Sequence, residues 1–389
     1  MPYNFNQRIN RAHTDCVKIE KLKLLFGRND LLPLWVADMD FLSPPAITNA
    51  LRQRVEHGLF GYTMATDKYY NAVINWLKRQ HQWTVAKEEI SFVPGVVKGI
   101  AFALDVFTQK GDKVIIQPPV YQHFRGTIEN LERTVVNNPL IVENGHYRMD
   151  LDGLRKIVSE NDCKMLILCH PHNPIGIVWT KEELQELAQI CFDNNILVVS
   201  DEIHADLTFP GFSHTPFAAV SPKAEANCIT LMAPGKTFNI AGIVSSFAVI
   251  KNETIRNKYF SFLEARELNQ AHVFAFAATQ AAFNECDEWR DELIDYLQGN
   301  IDFVDSYLKK HIPQIKAVIP QASFLVWLDC RELNLSQSEL VDFFVNKAHL
   351  ALNEGTMYGN SGEGFMRMNV GVSRVVIEQA MENLKKAIR

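Results

Sequence analysis

No stretch of the 389-residue chain approaches the roughly 18 unbroken apolar residues that a membrane-spanning helix needs. The opening residues, MPYNFNQRIN, also lack the apolar core of a secretory signal. Both absences lead to the expectation of a cytoplasmic chain that stays out of the bilayer. Excess charge is missing too: 39 Lys and Arg stand against 45 Asp and Glu, a net charge of −6. That balance offers no basic footprint for nucleic acid or anionic lipid. Cysteine is sparse and without pattern. Cys16, Cys163, Cys169, Cys191, Cys228, Cys286 and Cys330 are odd in number and never spaced C-x-x-C, which argues against a disulfide framework or a cysteine zinc site. Internal repeats, low-complexity tracts and charge blocks are also lacking.

What is present is the material of a large core. Hydrophobic residues make up 47% and charged residues 22%, the balance of a globular chain of two or three domains. From Asp67 the texture alternates. Helical spacing over 67–81 precedes a strand at Ile90–Val93, and a helix over Val96–Phe107 follows Pro94-Gly95. Lys113–Ile116, Lys164–Cys169 and Ile196–Ser200 read as strands, and Thr180 with Glu183 forms a capping box that opens a helix reaching Asp193. Fully apolar strands alternating with helices predict an α/β fold: a mostly parallel sheet, of the seven-stranded type, covered by helices on both faces. After Ser245–Ile250 long helical segments run to His311. Strands at Val318-Ile319, Phe324–Leu328 and Phe365–Val370, with helices at 336–347 and 373–388, predict a smaller α+β unit. The expected divisions are an irregular N-terminal segment, 1–45, packing on the small domain, a large domain over 46–287, and a small domain over 288–389.

Three short motifs carry chemistry. In Ala233-Pro234-Gly235-Lys236-Thr237-Phe238-Asn239, a lysine stands among small and apolar residues between two strand-like stretches. Burial would depress its pKa and leave the nucleophilic amine that Schiff-base chemistry requires, although a lysine at a loop tip fits the segment equally well. Pro171-His172-Asn173-Pro174-Ile175-Gly176 forms a tight turn directly after a strand, where open α/β sheets border their ligand crevice. Asp201, in Ser200-Asp201-Glu202-Ile203-His204, emerges at the same edge and needs a cationic partner to stay ionised.

The order of these motifs, N-P-x-G, then D-E about 30 residues on, then K about 35 further, resembles the fold-type I pyridoxal phosphate enzymes of the aspartate aminotransferase superfamily. Leu34-Trp35-Val36-Ala37-Asp38-Met39-Asp40-Phe41 with Pro44-Pro45, Gly61-Tyr62 and Lys236–Gly242 is similar to the MalY/PatB group of cystathionine β-lyases. The resemblance spans nearly the whole chain and makes the large domain cofactor-binding. It implies that Lys236 carries pyridoxal 5'-phosphate and later takes the substrate's Cα proton. Asp201 would pair with the ring nitrogen, Asn173 would donate to the phenolic oxygen, and Tyr121 would stack on the ring; His204 belongs to the same set.

Gly95, Val96 and Val97 open a helix whose free N–H groups suit the phosphate. Tyr62 would reach that phosphate from the neighbouring subunit, so that a homodimer shares its active sites. Arg367 would take the substrate's α-carboxylate in a bidentate fork, helped by backbone N–H groups of Val36 and Ala37, whereas Arg374 is expected to face solvent. The chain departs from the wider superfamily at Gly235 and Val244, where many members have a serine and an arginine, and this leaves the phosphate's charge without an obvious partner.

The reading favours β-elimination from cystathionine or a related cysteine conjugate, an amino acid of small size. Its alternatives are an aminotransferase, a regulatory protein on the same fold, and a metal hydrolase built on His170, His172, His204 and Asp201. The last lacks any H-E-x-x-H-like spacing, and no metal is expected.

Overall fold

The computed structural model describes residues 3–143 and 145–388. Seven strands form the large sheet: β1 (Ile90–Val93), β2 (Lys113–Ile116), β3 (Thr134–Asn137), β4 (Cys163–Cys169), β5 (Leu197–Asp201), β6 (Cys228–Met232) and β7 (Ser246–Val249). Their order is β1-β7-β6-β5-β4-β2-β3; β7 runs antiparallel to both neighbours and every other pair is parallel. The mostly parallel seven-stranded sheet is therefore as expected. Strand β3 was not anticipated, because its Val135 and Val136 sit between polar residues on a half-exposed edge.

Burial on both faces explains the unbroken apolar runs. In β4, Met165, Ile167 and Cys169 pack into one cluster while Leu166 and Leu168 face the other. Helix α1 (Asp67–His81) buries Val73, Trp76 and Leu77, and helix α2 (Val96–Phe107) buries Ile100, Ala103 and Leu104. Thr180 caps helix α3 (Lys181–Asp193) as expected, its Oγ1 accepting from the Glu183 N–H at 3.2 Å while Glu183 Oε2 accepts from the Thr180 N–H at 3.0 Å.

Two long helices follow, α4 (Val273–Glu285) and α5 (Asp287–His311). A second sheet then forms from β8 (Lys316–Val318), β9 (Leu325–Asp329), β10 (Asn353–Glu354) and β11 (Phe365–Asn369), antiparallel throughout in the order β8-β9-β11-β10. The closing helix, α6 (Arg374–Ile388), packs on α5. This contact corrects the expectation for Arg374. Its Nε donates to Oδ1 of the buried Asn300 at 2.8 Å and its guanidinium lies over Phe303, so it is half-buried rather than facing solvent.

Residues 3–45 are more ordered than their prolines imply. Val17–Glu20 and Leu22–Phe26 are short helices, and Leu32-Pro33 pairs in parallel with Leu350-Ala351. The turn after β4 is stitched to the second unit: the Gly176 carbonyl accepts from the N–H groups of Gln321 and Ala322 at 2.8 and 3.0 Å. Gly176 sits at φ +77°, and a Cβ there would lie 2.4 Å from Pro320 Cβ. Gly176→Ala is expected to destabilise the protein by about 2 kcal/mol or more through backbone strain and this clash. A urea melt with an unchanged midpoint would contradict that assignment.

Candidate active site

A cavity of about 380 Å³ opens where β4, β5 and β6 end. This is the edge at which parallel sheets bind ligands. Lys236, Asp201, Asn173, Tyr121, His204, Gly95, Val96, Val97 and Ala37 all line it, so nine of the residues singled out in sequence meet in one place.

Lys236 rides on a single turn, Pro234–Thr237, directly after β6. The turn is tied down by Thr237, whose Oγ1 donates to Asp206 Oδ2 at 2.9 Å; Asp206 Oδ1 in turn accepts from Trp76 Nε1 at 3.0 Å and lies 2.8 Å from His81 Nε2. The amine of Lys236 donates to the carbonyl of Ala37. Burial, followed by the nearby Arg367 guanidinium, pushes its pKa down to about 8, against the opposing pull of Asp38 and Asp201. An amine of this kind is a usable nucleophile near neutrality. Asp201 is the last residue of β5, and its Oδ1 accepts from the Ile203 N–H at 3.1 Å. Burial raises its pKa to about 7, so it takes up negative charge most readily when a cation faces it.

His204 is buried and its pKa is pushed down to about 3 by that burial, which keeps the ring neutral. The Tyr121 hydroxyl is pushed up to about 12 by burial and by Asp201, so it is a neutral ring surface rather than a base. Asn173 accepts on Oδ1 from Arg367 Nη1 at 3.0 Å. Gly95, at φ +120°, turns the chain into α2 with no side chain capping the helix, so the first amides of α2 are left for an anion.

Three expected residues are placed otherwise. Arg367 does not line the cavity: it is buried in β11, with Nη1 on Asn173 and Nη2 donating to the Trp35 carbonyl at 2.8 Å. Its Nε has no hydrogen-bond partner among the described residues. Val36 also stands back, its carbonyl accepting from Asn369 Nδ2 at 2.6 Å. Tyr62 is fully exposed, in a stretch with exposed Leu59, Phe60 and Met64, and reaches no part of this chain's own cavity. His170 and His172 are buried without lining the cavity, and among the described residues no group of three or more His, Cys, Asp or Glu is arranged to hold a metal.

Sequence reasoning missed Ser245 and Lys98. Ser245 lines the cavity with a buried Oγ that has no hydrogen-bond partner, and Lys98 lines it beside the start of α2 with no ion pair among the described residues. A serine entering a strand and a lysine in the first turn of a helix give no signal in sequence.

The profile of the family "Aminotransferase class I and II" matches residues 29–384. The chain belongs to that family. It is 41% identical to cystathionine beta-lyase PatB of Bacillus subtilis over 385 residues, covering 99% of this chain and 100% of the relative. The pyridoxal 5'-phosphate-containing cystalysin of Treponema denticola is 34% identical with a TM-score of 0.96, covering 100% of this chain and 99% of that one. The PLP-bound C–S lyase of Staphylococcus hominis is 32% identical with a TM-score of 0.92, covering 99% and 98%. The architecture is the fold-type I one that the resemblance implied.

In chain stripped of small molecules, the Lys236 amine is expected to titrate near 8. Reductive ¹³C-methylation followed by NMR reads this directly, and a midpoint in the ordinary lysine range near 10.4 would show the amine to be hydrated.

Proposed function

We propose that the chain is a pyridoxal phosphate-dependent C–S β-lyase that cleaves cystathionine or a related cysteine S-conjugate to a thiol, pyruvate and ammonia. The observation carrying this reading is the meeting of a buried, low-pKa lysine and a buried carboxylate in one cavity. The anion cradle fits as well. Unsatisfied Ser245 Oγ, the amides opening α2 and the ammonium of Lys98 supply donors and positive charge for a phosphate, which answers the departure at Gly235 and Val244.

Bound pyridoxal phosphate supplies a conjugated electron sink for the pair left when the substrate's Cα proton departs. Lys236 would hold the cofactor through its amine and would take the substrate's Cα proton. Asp201 would set a negative charge against the cofactor's ring nitrogen, Asn173 would offer its amide, Tyr121 and His204 would help hold the ring, and Arg367 would take the substrate carboxylate with N–H groups of Val36 and Ala37 in support. Arg367 keeps Nε and a second N–H on each Nη beyond its bonds to Asn173 and the Trp35 carbonyl, so donors remain for an incoming carboxylate. A thiolate on Cβ would be the leaving group, and hydrolysis of the resulting enamine would give pyruvate and ammonia. PatB and the Staphylococcus hominis enzyme, named for this chemistry, support elimination over transamination.

The same reading makes the enzyme a homodimer in which Tyr62, on its exposed apolar stretch, serves the partner's phosphate site. Its units are the N-terminal segment 1–45, the cofactor domain 46–287 and the small domain 288–389. Seven buried, unpaired thiols suit a reducing compartment, and a cytoplasmic setting is part of the proposal.

Cystathionine supplied without any keto acid is expected to give sustained pyruvate and homocysteine, and Lys236→Ala to abolish both. A single turnover that resumes only when a keto acid is added would instead make the chain an aminotransferase. Ser245→Ala is expected to weaken cofactor retention about tenfold in equilibrium dialysis, the loss of one hydrogen bond to a charged group; equal retention would remove Ser245 from the cradle.

A further inference from the structure

The carbonyl that receives the Lys236 amine belongs to a segment, residues 35–41, with no regular structure of its own. Its placement is imposed from outside. Asn369 Nδ2 donates to the Val36 and Asp38 carbonyls, each at 2.6 Å. Asn239, three residues after Lys236, accepts from the Met39 N–H at 3.0 Å and donates to the Met39 and Phe41 carbonyls at 2.8 Å each.

A further anchor comes from the N-terminal arm. Lys18 has a side chain with no exposed surface, and its ammonium meets Asp38 Oδ1 at 2.9 Å, Asp40 Oδ1 at 2.8 Å and the Asp38 carbonyl at 3.1 Å. Three donors therefore meet three acceptors. Arg11 closes the group, with Nη2 on Asp38 Oδ2 and Nη1 on Asp40 Oδ1, both at 2.7 Å. Two cations and two anions make the cluster neutral overall.

A buried ion cluster is no general stabiliser, because desolvation offsets most of its attraction. Its distinctive effect is geometric: it holds Asp38, and with it the adjoining Ala37 carbonyl, in one place. We propose that Arg11 and Lys18 are positioning residues for Lys236, fixing the Ala37 carbonyl that orients its amine and balancing the charge of Asp38 beside it. This rests on the lyase reading, in which Lys236 moves the proton.

Charge sets the sign of the test. The ionic groups bearing on the amine are Arg367, Asp38, Asp201 and Lys18, with Arg11 paired behind Asp38, and Lys98, Tyr121, Cys169 and neutral His204 also line the cavity. Removing the Lys18 charge leaves a net negative cluster near the amine and favours its protonated form; removing the Asp38 charge does the reverse. Asp38 itself lies below the usual carboxylate range: burial would raise it, but Arg11 and Lys18 outweigh that effect.

The experiment compares wild type with Lys18→Met and Asp38→Asn as loaded enzymes. The pH titration of the lysine-bound cofactor's visible absorbance is expected to shift up in K18M and down in D38N, each by about half a unit. In K18M, kcat for cystathionine is expected to fall about tenfold with a smaller change in KM, as for a mispositioned catalytic group. A purely structural role would leave the midpoint still or move it the same way in both, and either result overturns the proposal. If K18M does not fold, the half-buried Arg11→Gln carries the same expected upward shift. The methyl-NMR titration of Lys236 in stripped chain, repeated on the variants, keeps this inference separate from the lyase reading: wild type lacking the absorbance would sink that reading, while opposite NMR shifts would still uphold the arm's hold on Lys236.

Discussion

The structure turns on the cost of keeping one ammonium away from water. An isolated charge in a protein interior is strongly disfavoured, and the group escapes by losing its proton or by acquiring partners. Lys236 does some of each, with a pKa of about 8 and a carbonyl acceptor supplied by Ala37. Much of what delivers those conditions lies far from Lys236 in sequence. The strand edge brings Asp201, the turn after β4 brings Asn173, and a segment near residue 37 closes over the amine.

That closure links the two sheets. Residues 35–41 are bonded to Asn239 on the large sheet's side and to Asn369 at the end of β11 and Gly371 just past it, while Arg367 reaches from β11 to the Trp35 carbonyl and to Asn173. A shift of the second sheet therefore cannot leave the cavity wall unchanged, because the same short segment answers to both. The placement of the second sheet and the position of the Lys236 amine are one mechanical problem in this fold. The amine's acceptor rides on the connecting segment rather than on either sheet.

The legibility of the molecule in its sequence follows from this division. Strands buried on both faces advertise themselves, as in Met165–Cys169 or Leu197–Asp201, and the residues at their ends are legible as site candidates because the parallel edge is where ligands bind. Lys236 is ambiguous in sequence alone, since small neighbours fit both a buried amine and a loop tip. Ser245 was invisible: nothing in Val244-Ser245-Ser246 distinguishes a hydroxyl aimed at solvent from one left without a partner in a cavity. The Arg11, Lys18, Asp38 and Asp40 cluster is equally hidden, its members spread over positions up to 29 apart with no periodicity to relate them. Arg374 was misjudged because an arginine opening a helix normally meets water, and only the packing of α5 puts Asn300 against it.

Beneath the cavity, precision comes from the residues next door. Glu202 follows Asp201, and Thr237 follows Lys236. The buried Glu202 carboxylate accepts from Ser200 Oγ and from the Phe217 N–H at 2.9 Å each, and His214 Nε2 lies 2.8 Å from its other oxygen. Thr237 bonds to Asp206, which also holds Trp76 and His81, and the His81 and His214 rings meet edge to face at 5.3 Å. Turning Asp201 or Lys236 out of the cavity would drag a satisfied buried group out of this network, and each polar atom so orphaned costs about 1–3 kcal/mol. The chemical side chains are thus held by neighbours that never touch the substrate. The dyad of Asp201 and Lys236 owes its geometry to a polar layer below the sheet edge as much as to the edge itself.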